Sequence, residues 1–351
     1  MTGQNLGQLV NKALAVLTPR EKEVVEQRWG LKDGQSLTLA EVGDSYGITR
    51  ERVRQIEATA VNKLKALVRK GELKDFLGTI ASHLKVVGGL RRETLLLDDL
   101  KFLLRENVGA TAMGNKVKFL LELSDSPAYS QEDNDFHSYW YASRDDKQKA
   151  HNFVSRLVKF LEKNKSAIIT QPVSVKDVIK EVATTLNLKE AIALNYASLS
   201  KQFHVNQYGD FGLADWDELN PKTVRHWANL VLRKERQPLH FTDIAKVINK
   251  VKKNSSKVVN AQTVHNELIK DSRFVLVGRG MYGLQEFGLM PGTAREVIAR
   301  LLKKHGPLKS ADLVSFVKQE RVFKDNTIFI NLQNKKHFSR MPDGRYSVKE
   351  A

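Results

Sequence analysis

Four side chains in one short stretch carry the clearest chemical signal in this sequence. Arg50, Glu51, Arg54 and Gln55 stand at i, i+1, i+4 and i+5, a spacing that brings all four to one side of a helix. An arginine fork matches guanine O6 and N7, glutamine matches adenine N6 and N7, and glutamate accepts from the cytosine amino group. The set therefore suits base edges in a DNA major groove. The competing reading is an ordinary solvated face, since Arg and Glu are common surface helix formers.

The neighbouring residues dictate the elements that must hold this set. Val53, Ile56, Ala60 and Leu64 recur at i, i+3, i+7 and i+11, which turns them to a core and turns the polar set outward. Thr49 is placed to cap this helix. Upstream, Thr38-Leu39-Ala40-Glu41 is a capping box that opens a short helix ending at Tyr46-Gly47-Ile48. Thr18-Pro19-Arg20-Glu21 opens another, with Val24, Val25 and Trp29 on its apolar side, and a Gly-flanked turn from Gly30 to Gly34 stops it. Two helices joined by a tight turn around Gly47, the second beginning with outward arginines, form the helix-turn-helix pattern.

Over Leu17 to Arg69 the sequence resembles region 4 of the sigma-70 family factors of bacterial RNA polymerase. The residues that carry the resemblance are Leu17-Thr-Pro-Arg-Glu-Lys-Glu-Val-Val, Arg28-Trp-Gly-Leu, Thr38-Leu-Ala-Glu-Val-Gly and Ile48-Thr-Arg-Glu-Arg-Val-Arg-Gln-Ile-Glu-Ala. The resemblance implies a helix-turn-helix that reads the minus-35 promoter element while the surrounding surface docks on the flap of the polymerase β subunit. It puts Arg50, Glu51, Arg54 and Gln55 on the base-reading face and Thr38 and Arg52 at phosphates. In the family, region 4 closes a longer protein whose region 2 melts the promoter. Here it comes first and no counterpart of region 2 is evident downstream, so promoter opening by this chain alone is not expected.

The remainder of the chain repeats. Phe203-x5-Gly209-Asp-Phe211-Gly-Leu213, Phe274-x5-Gly280-Met-Tyr282-Gly-Leu284 and Phe338-x5-Gly344-Arg345-Tyr346-Ser-Val348 share one signature at a period of roughly 70 residues. Pro-x-Thr-x-Arg and a basic helix follow the first two copies (Pro221, Thr223, Arg225; Pro291, Thr293, Arg295). Helical patterns such as Phe241 to Val251 and Thr263 to Ile269 lead into a strand, a glycine turn and a second strand. That order describes winged helices with a positive-φ glycine at each wing tip. A fainter fourth copy falls at 90–143, with helices at Asp98 to Glu106 and Lys116 to Leu123, a polar loop from Ser124 to Asp135, and Phe136 to Ser143 as its wing. The last two copies, through Pro238-Leu-His-Phe-Thr-Asp-Ile-Ala, Val264-His-Asn-Glu-Leu-Ile and Arg273-Phe-Val-Leu-Val-Gly-Arg-Gly-Met-Tyr-Gly-Leu, resemble the HARE-type winged helix shared with the delta subunit of RNA polymerase. This likeness implies binding to polymerase or DNA.

The expected organisation is mainly α with small β-ribbons, a helix-turn-helix domain followed by tandem winged helices. Its parts are residues 1–72 (region 4-like), 73–168 (a helical linker holding the degenerate copy), 169–236 (winged helix), 237–290 and 291–351 (HARE-like winged helices).

Charge agrees with a nucleic-acid partner. The 351 residues carry 57 Lys and Arg against 40 Asp and Glu, a formal charge of +17, and an excess of eleven cations lies in residues 237–351. Lys246, Lys250, Lys252, Lys253 and Lys257 form one basic strip there. Arg279 and Arg345, near the wing tips, suit phosphate contacts. Phe211, Tyr282 and Tyr346 alternate with apolar neighbours and read as core. The motif Gly278-Arg-Gly280-Met-Tyr-Gly283 has the dinucleotide-binding spacing, but a helix must start there to meet a pyrophosphate, and Tyr282-Gly-Leu-Gln continues as a strand. With no cysteine, nine scattered histidines and no nucleophile motif, neither enzyme chemistry nor a metal or other cofactor is expected. No apolar run approaches a membrane span. The expected partners are promoter DNA and core RNA polymerase, in the cytoplasm, without a membrane or a small-molecule substrate. The alternatives are a delta-like polymerase accessory with little sequence preference and a non-specific chromosome-binding winged-helix protein.

Overall fold

The structure, a computed structural model, describes residues 6–71, 73–104, 110–252, 257–289, 292–321 and 323–349. Glu106, Lys253 and Pro291, which the sequence reading used, lie outside them. The described residues form mainly helices with small antiparallel sheets. They divide into two compact units, Met1–Val205 with Gly209–Ala214 and Asn206–Tyr208 with Asp215–Ala351.

The first unit begins with α1 (Leu6–Leu14), α2 (Pro19–Trp29), α3 (Leu39–Tyr46) and α4 (Arg50–Arg69). Each start is chemically specified. Thr18 and Thr38 each close a full capping box with Glu21 and Glu41, and the Thr49 side chain accepts from the Arg52 N–H. Gly30 and Gly47 end α2 and α3 in the left-handed conformation, at φ 56° and 62°. Val24, Val42 and Val53 are fully buried in a small core of their own beneath the helix-turn-helix.

Two winged helices follow in this unit. The first is α5 (Lys74–Val86), β1 (Leu90–Arg92), α6 (Glu93–Leu104), α7 (Ala110–Glu122), β2 (Ala128–Ser130) and β3 (Tyr139–Tyr141), with the sheet ordered β1-β3-β2. The segment expected as a polar loop, 124–135, thus contains β2. Its Tyr129 ring lies 4.8 Å from that of Trp140, and its hydroxyl donates to Glu93 at 2.8 Å, a pairing that the acidic neighbours hide in the sequence. The second is α8 (Arg144–Thr170), α9 (Val175–Thr185), α10 (Glu190–Ala197) and the ribbon β4 (Phe203–Val205) with β5 (Phe211–Leu213). The long α8 packs on α9 and α10, so its helices start well before residue 169.

The second unit repeats the plan twice. Its first copy is α11 (Val224–Glu235), β6 (Leu239–His240), α12 (Phe241–Val251), α13 (Ala261–Lys270), β7 (Phe274–Gly278) and β8 (Met281–Leu284), with the sheet again ordered edge, last, middle as β6-β8-β7. Helix α11 packs on α12 and α13 through Trp227, Val231 and Leu232. It therefore opens this copy, where the sequence reading begins it at 237. The capping Thr223 of the Pro-x-Thr-x-Arg motif marks the true start. The last copy is α14 (Ala294–His305), α15 (Ser310–Glu320), α16 (Asp325–Leu332), β9 (Phe338–Arg340) and β10 (Tyr346–Val348), with a Leu308–Tyr346 bridge where β6 stands in the copy before. Gly209, Gly280 and Gly344 take φ of 84°, 72° and 83° at the wing turns, where a residue with a Cβ is strained.

Candidate nucleic-acid interface

The polar set of α4 stands on a rigid frame. Inside, Val53, Ala60 and Leu64 are fully buried, as the 3.6-residue period requires. Alongside, Lys63 Nζ pairs with Glu21 Oε1 at 2.8 Å and Arg28 Nε with Glu57 Oε2 at 3.2 Å, which ties α2 to α4. Arg28 also donates to the Leu37 carbonyl. Arg20 stacks over the Tyr46 ring at 3.6 Å, and the Tyr46 hydroxyl donates to Glu23 at 3.1 Å, tying α2 to α3. The α3–α4 turn is close: a Cβ added at Gly43 would sit 2.7 Å from the Ile48 carbonyl oxygen. Only glycine lets the two helices approach this far.

On that frame Arg50, Glu51, Arg54 and Gln55 are all exposed on one face. Two members of the set are tied to each other as an i, i+3 pair. Arg54 donates to Glu51 through Nε at 2.9 Å and Nη2 at 2.7 Å. The Arg54 guanidinium holds the Glu51 carboxyl below its ordinary range, so Glu51 stays ionised and purely an acceptor. The pair is exposed and solvent-screened, a weak tie that either residue can leave for a base. Arg52 is exposed at the flank and donates to Gln55 Oε1 at 3.2 Å. Thr38 accepts the Glu41 N–H at 3.2 Å while Glu41 accepts the Thr38 N–H at 2.7 Å. That cap leaves the Thr38 hydroxyl hydrogen for an outside acceptor such as a phosphate oxygen.

The two wing arginines lie apart from this face in the chain, in the second unit. Arg279 is exposed at the β7–β8 turn, whose Gly280 backbone packs so closely that a Cβ there would meet His240 Nε2 at 2.4 Å. Arg345 is exposed in the β9–β10 turn and donates to Asp343 at 2.6 Å. Phe211 and Tyr282 are buried and Tyr346 half-buried, as core rather than stacking platforms. Gly278 ends β7 and β8 starts at Met281, so no helix starts in the Gly278–Gly283 loop. The spacing also held an unread surface: Val264 and Leu268 of α13 are buried, which leaves Gln262, Thr263, Asn266 and Lys270 exposed. The i, i+4 apolar pair is the signal that reveals it.

Comparison with known proteins assigns the frame. Residues 13–66 match the family model of sigma-70, region 4. The chain carries a sigma-70 region 4 module. Over 66 residues this part is 53% identical to RNA polymerase sigma factor SigA of Clostridium acetobutylicum, covering 19% of this chain and 18% of that protein. It is 50% identical over 72 residues to the SigA of Listeria monocytogenes, covering 20% of this chain and 19% of that protein. The chain thus spans less than a fifth of the length of these relatives. Residues 222–287 match the family model of the HARE-HTH domain, the helix-turn-helix domain of ASXL and restriction endonuclease proteins, a span that includes α11. Helix α4 with Arg50, Glu51, Arg54 and Gln55 lies inside the region 4 module up to residue 66. No helix among the described residues is long and apolar enough to cross a membrane.

Proposed function

We propose that this protein is a DNA-binding factor of bacterial transcription that reads a minus-35-like promoter element with α4 and docks on core RNA polymerase. The coarse part, a DNA-binding protein of transcription, rests on the two matched modules. The finer part is carried by one observation: Arg50, Glu51, Arg54 and Gln55 share the exposed face of a helix whose start is capped by Thr49 and whose opposite stripe, Val53, Ala60 and Leu64, is buried. An α-helix fits the major groove, and these side-chain types match base edges there. Thr38 and Arg52 contact phosphates and set the register, while Arg279 and Arg345 add backbone contacts from the second unit. The β-subunit flap is the docking point that the region 4 resemblance implies. The reaction partners are macromolecules in the cytoplasm; no cofactor or small-molecule substrate takes part.

The test is selection of bound sequences from a random duplex pool, run beside retention of the purified chain on core polymerase. Enrichment of a minus-35-like motif with polymerase retention supports the proposal. Retention without enrichment replaces it with the delta-like accessory role, and failure of both removes transcription from the account.

A further inference from the structure

The region 4 module has two faces, and only one is open. Opposite the reading face, Val25, Leu31, Ala60 and Leu64 join one continuous apolar cluster with α1 and with α7 of the first winged helix. Helix α7 fills the centre of that cluster: Met113, Val117, Phe119 and Leu120 are at most 1% exposed. The Phe119 ring meets the Trp29 ring edge-on at 5.5 Å, and Asn115 Nδ2 donates to the Gly34 carbonyl at 3.0 Å and to the Gly30 carbonyl at 3.4 Å. The contact reaches the backbone, since a Cβ on Gly34 would lie 3.3 Å from the Ala112 nitrogen. Yet α7 lies outside the stretch matched to sigma factors, which ends by residue 66 in the family model. The helix that covers this apolar back, together with α1, thus comes from outside the matched stretch.

We infer that the apolar back of the region 4 module is a helix-binding groove filled in cis by α7, so that this chain offers the groove to no other protein and meets polymerase through a different surface. A partner seeking the groove must present an apolar helix and displace one whose Met113, Val117, Phe119, Leu120 and Leu121 are buried. Burial on that scale makes spontaneous release rare, and the apparent affinity of a competitor falls by the fraction of chains that are open. This closure bears on function through the polymerase docking proposed above, and the two fail separately.

A single thiol reports the seat of α7, because the chain has no cysteine. In the Val117→Cys variant of the whole 351-residue chain, with DNA selection as the control for correct folding, thiol labelling is expected to be slow and unchanged by promoter DNA or core polymerase. Fast labelling of the free chain overturns the inference, and so does an acceleration of about tenfold or more on adding polymerase, the change expected when a state open in about a tenth of the chains becomes dominant. Amide exchange across 110–122 of the unaltered chain gives the same readout should the cysteine disturb packing: protection retained with polymerase supports closure, and protection lost overturns it. A chain that never retains polymerase yet keeps slow labelling defeats the docking proposal and leaves the closed groove standing.

Discussion

Helices α4 and α7 hold the same place in two related motifs, each the second helix of a helix-turn-helix pair, and they have opposite fates. Helix α4 keeps a narrow buried stripe, Val53, Ala60 and Leu64, and leaves the rest of its first turns to solvent. Helix α7 buries residues on nearly every side. Helix α10, third in the second winged helix, goes the same way: Asn195 Nδ2 donates to the Val87 and Leu90 carbonyls at 2.8 and 2.7 Å, and Tyr196 donates to the Gly88 carbonyl at 2.8 Å. A winged-helix plan therefore does not by itself mark a DNA reader. In this unit the plan serves twice as a scaffold beside the one helix proposed to read DNA, and what separates the two uses is how many sides of the helix are apolar.

The comparison is broken most forcefully at its apolar end. Phe119→Ala empties the contact with Trp29 and is expected to cost about 3–5 kcal/mol, read from the denaturant midpoint. Arg54→Ala leaves that midpoint unchanged, because the side chain is exposed and tied only to Glu51. Equal effects of the two substitutions would show that α7 is not the scaffold described.

For DNA the order reverses. Arg54→Ala is expected to weaken binding to the selected duplex about 5- to 150-fold and to relax preference at one base pair. Arg52→Ala weakens all sequences alike and lowers the salt slope by about one. Titrations of both variants against selected and scrambled duplexes at several salt concentrations check the pair. A uniform loss from Arg54→Ala would move it from base reading to backbone contact.

Thr38 sits on both sides of the comparison, as a cap and as a proposed phosphate contact. Thr38→Ala is expected to cost about 1 kcal/mol of stability and a further loss of DNA affinity, whereas Thr38→Ser keeps both. Thermal melts and duplex titrations of the two variants separate the roles: a stability loss without an affinity loss leaves Thr38 as a cap alone.

How much of this was legible follows from the range of each interaction. The three threonine caps, the left-handed Gly47 and the wing-tip glycines Gly209, Gly280 and Gly344 were readable because each is settled within about four residues of chain. The outward placement of the α4 set was readable from period alone. The Glu51–Arg54 tie was open to reading, as an i, i+3 pair. What lay beyond sequence reasoning was long-range: the Asn115 bonds to Gly30 and Gly34 span 85 and 81 residues, and those of Asn195 span 108 and 105. Strand β2 and the assignment of α11 to the copy after it fall in the same class, because each depends on which distant surface it covers.

The smallest expected effect lies on the frame that joins α2 to α4. Glu21 is held below its ordinary value of 4.5, chiefly by the Lys63 ammonium and then by the Thr18 N–H. A carboxyl whose folded pKa is depressed contributes stability above its unfolded pKa and loses it as pH falls through the folded value. Stability should therefore be flat with respect to this group near neutrality and decline only below about pH 4.5. Lys63→Met removes the main cause of the depression, so the decline from this group should shrink, while the capping box keeps a remnant. Denaturant midpoints of the two proteins across pH 3 to 7 check this. An identical acid limb in both would mean that the Glu21–Lys63 pair does not tie α2 to α4 in solution, leaving the Arg28–Glu57 pair and the apolar contacts to position α4.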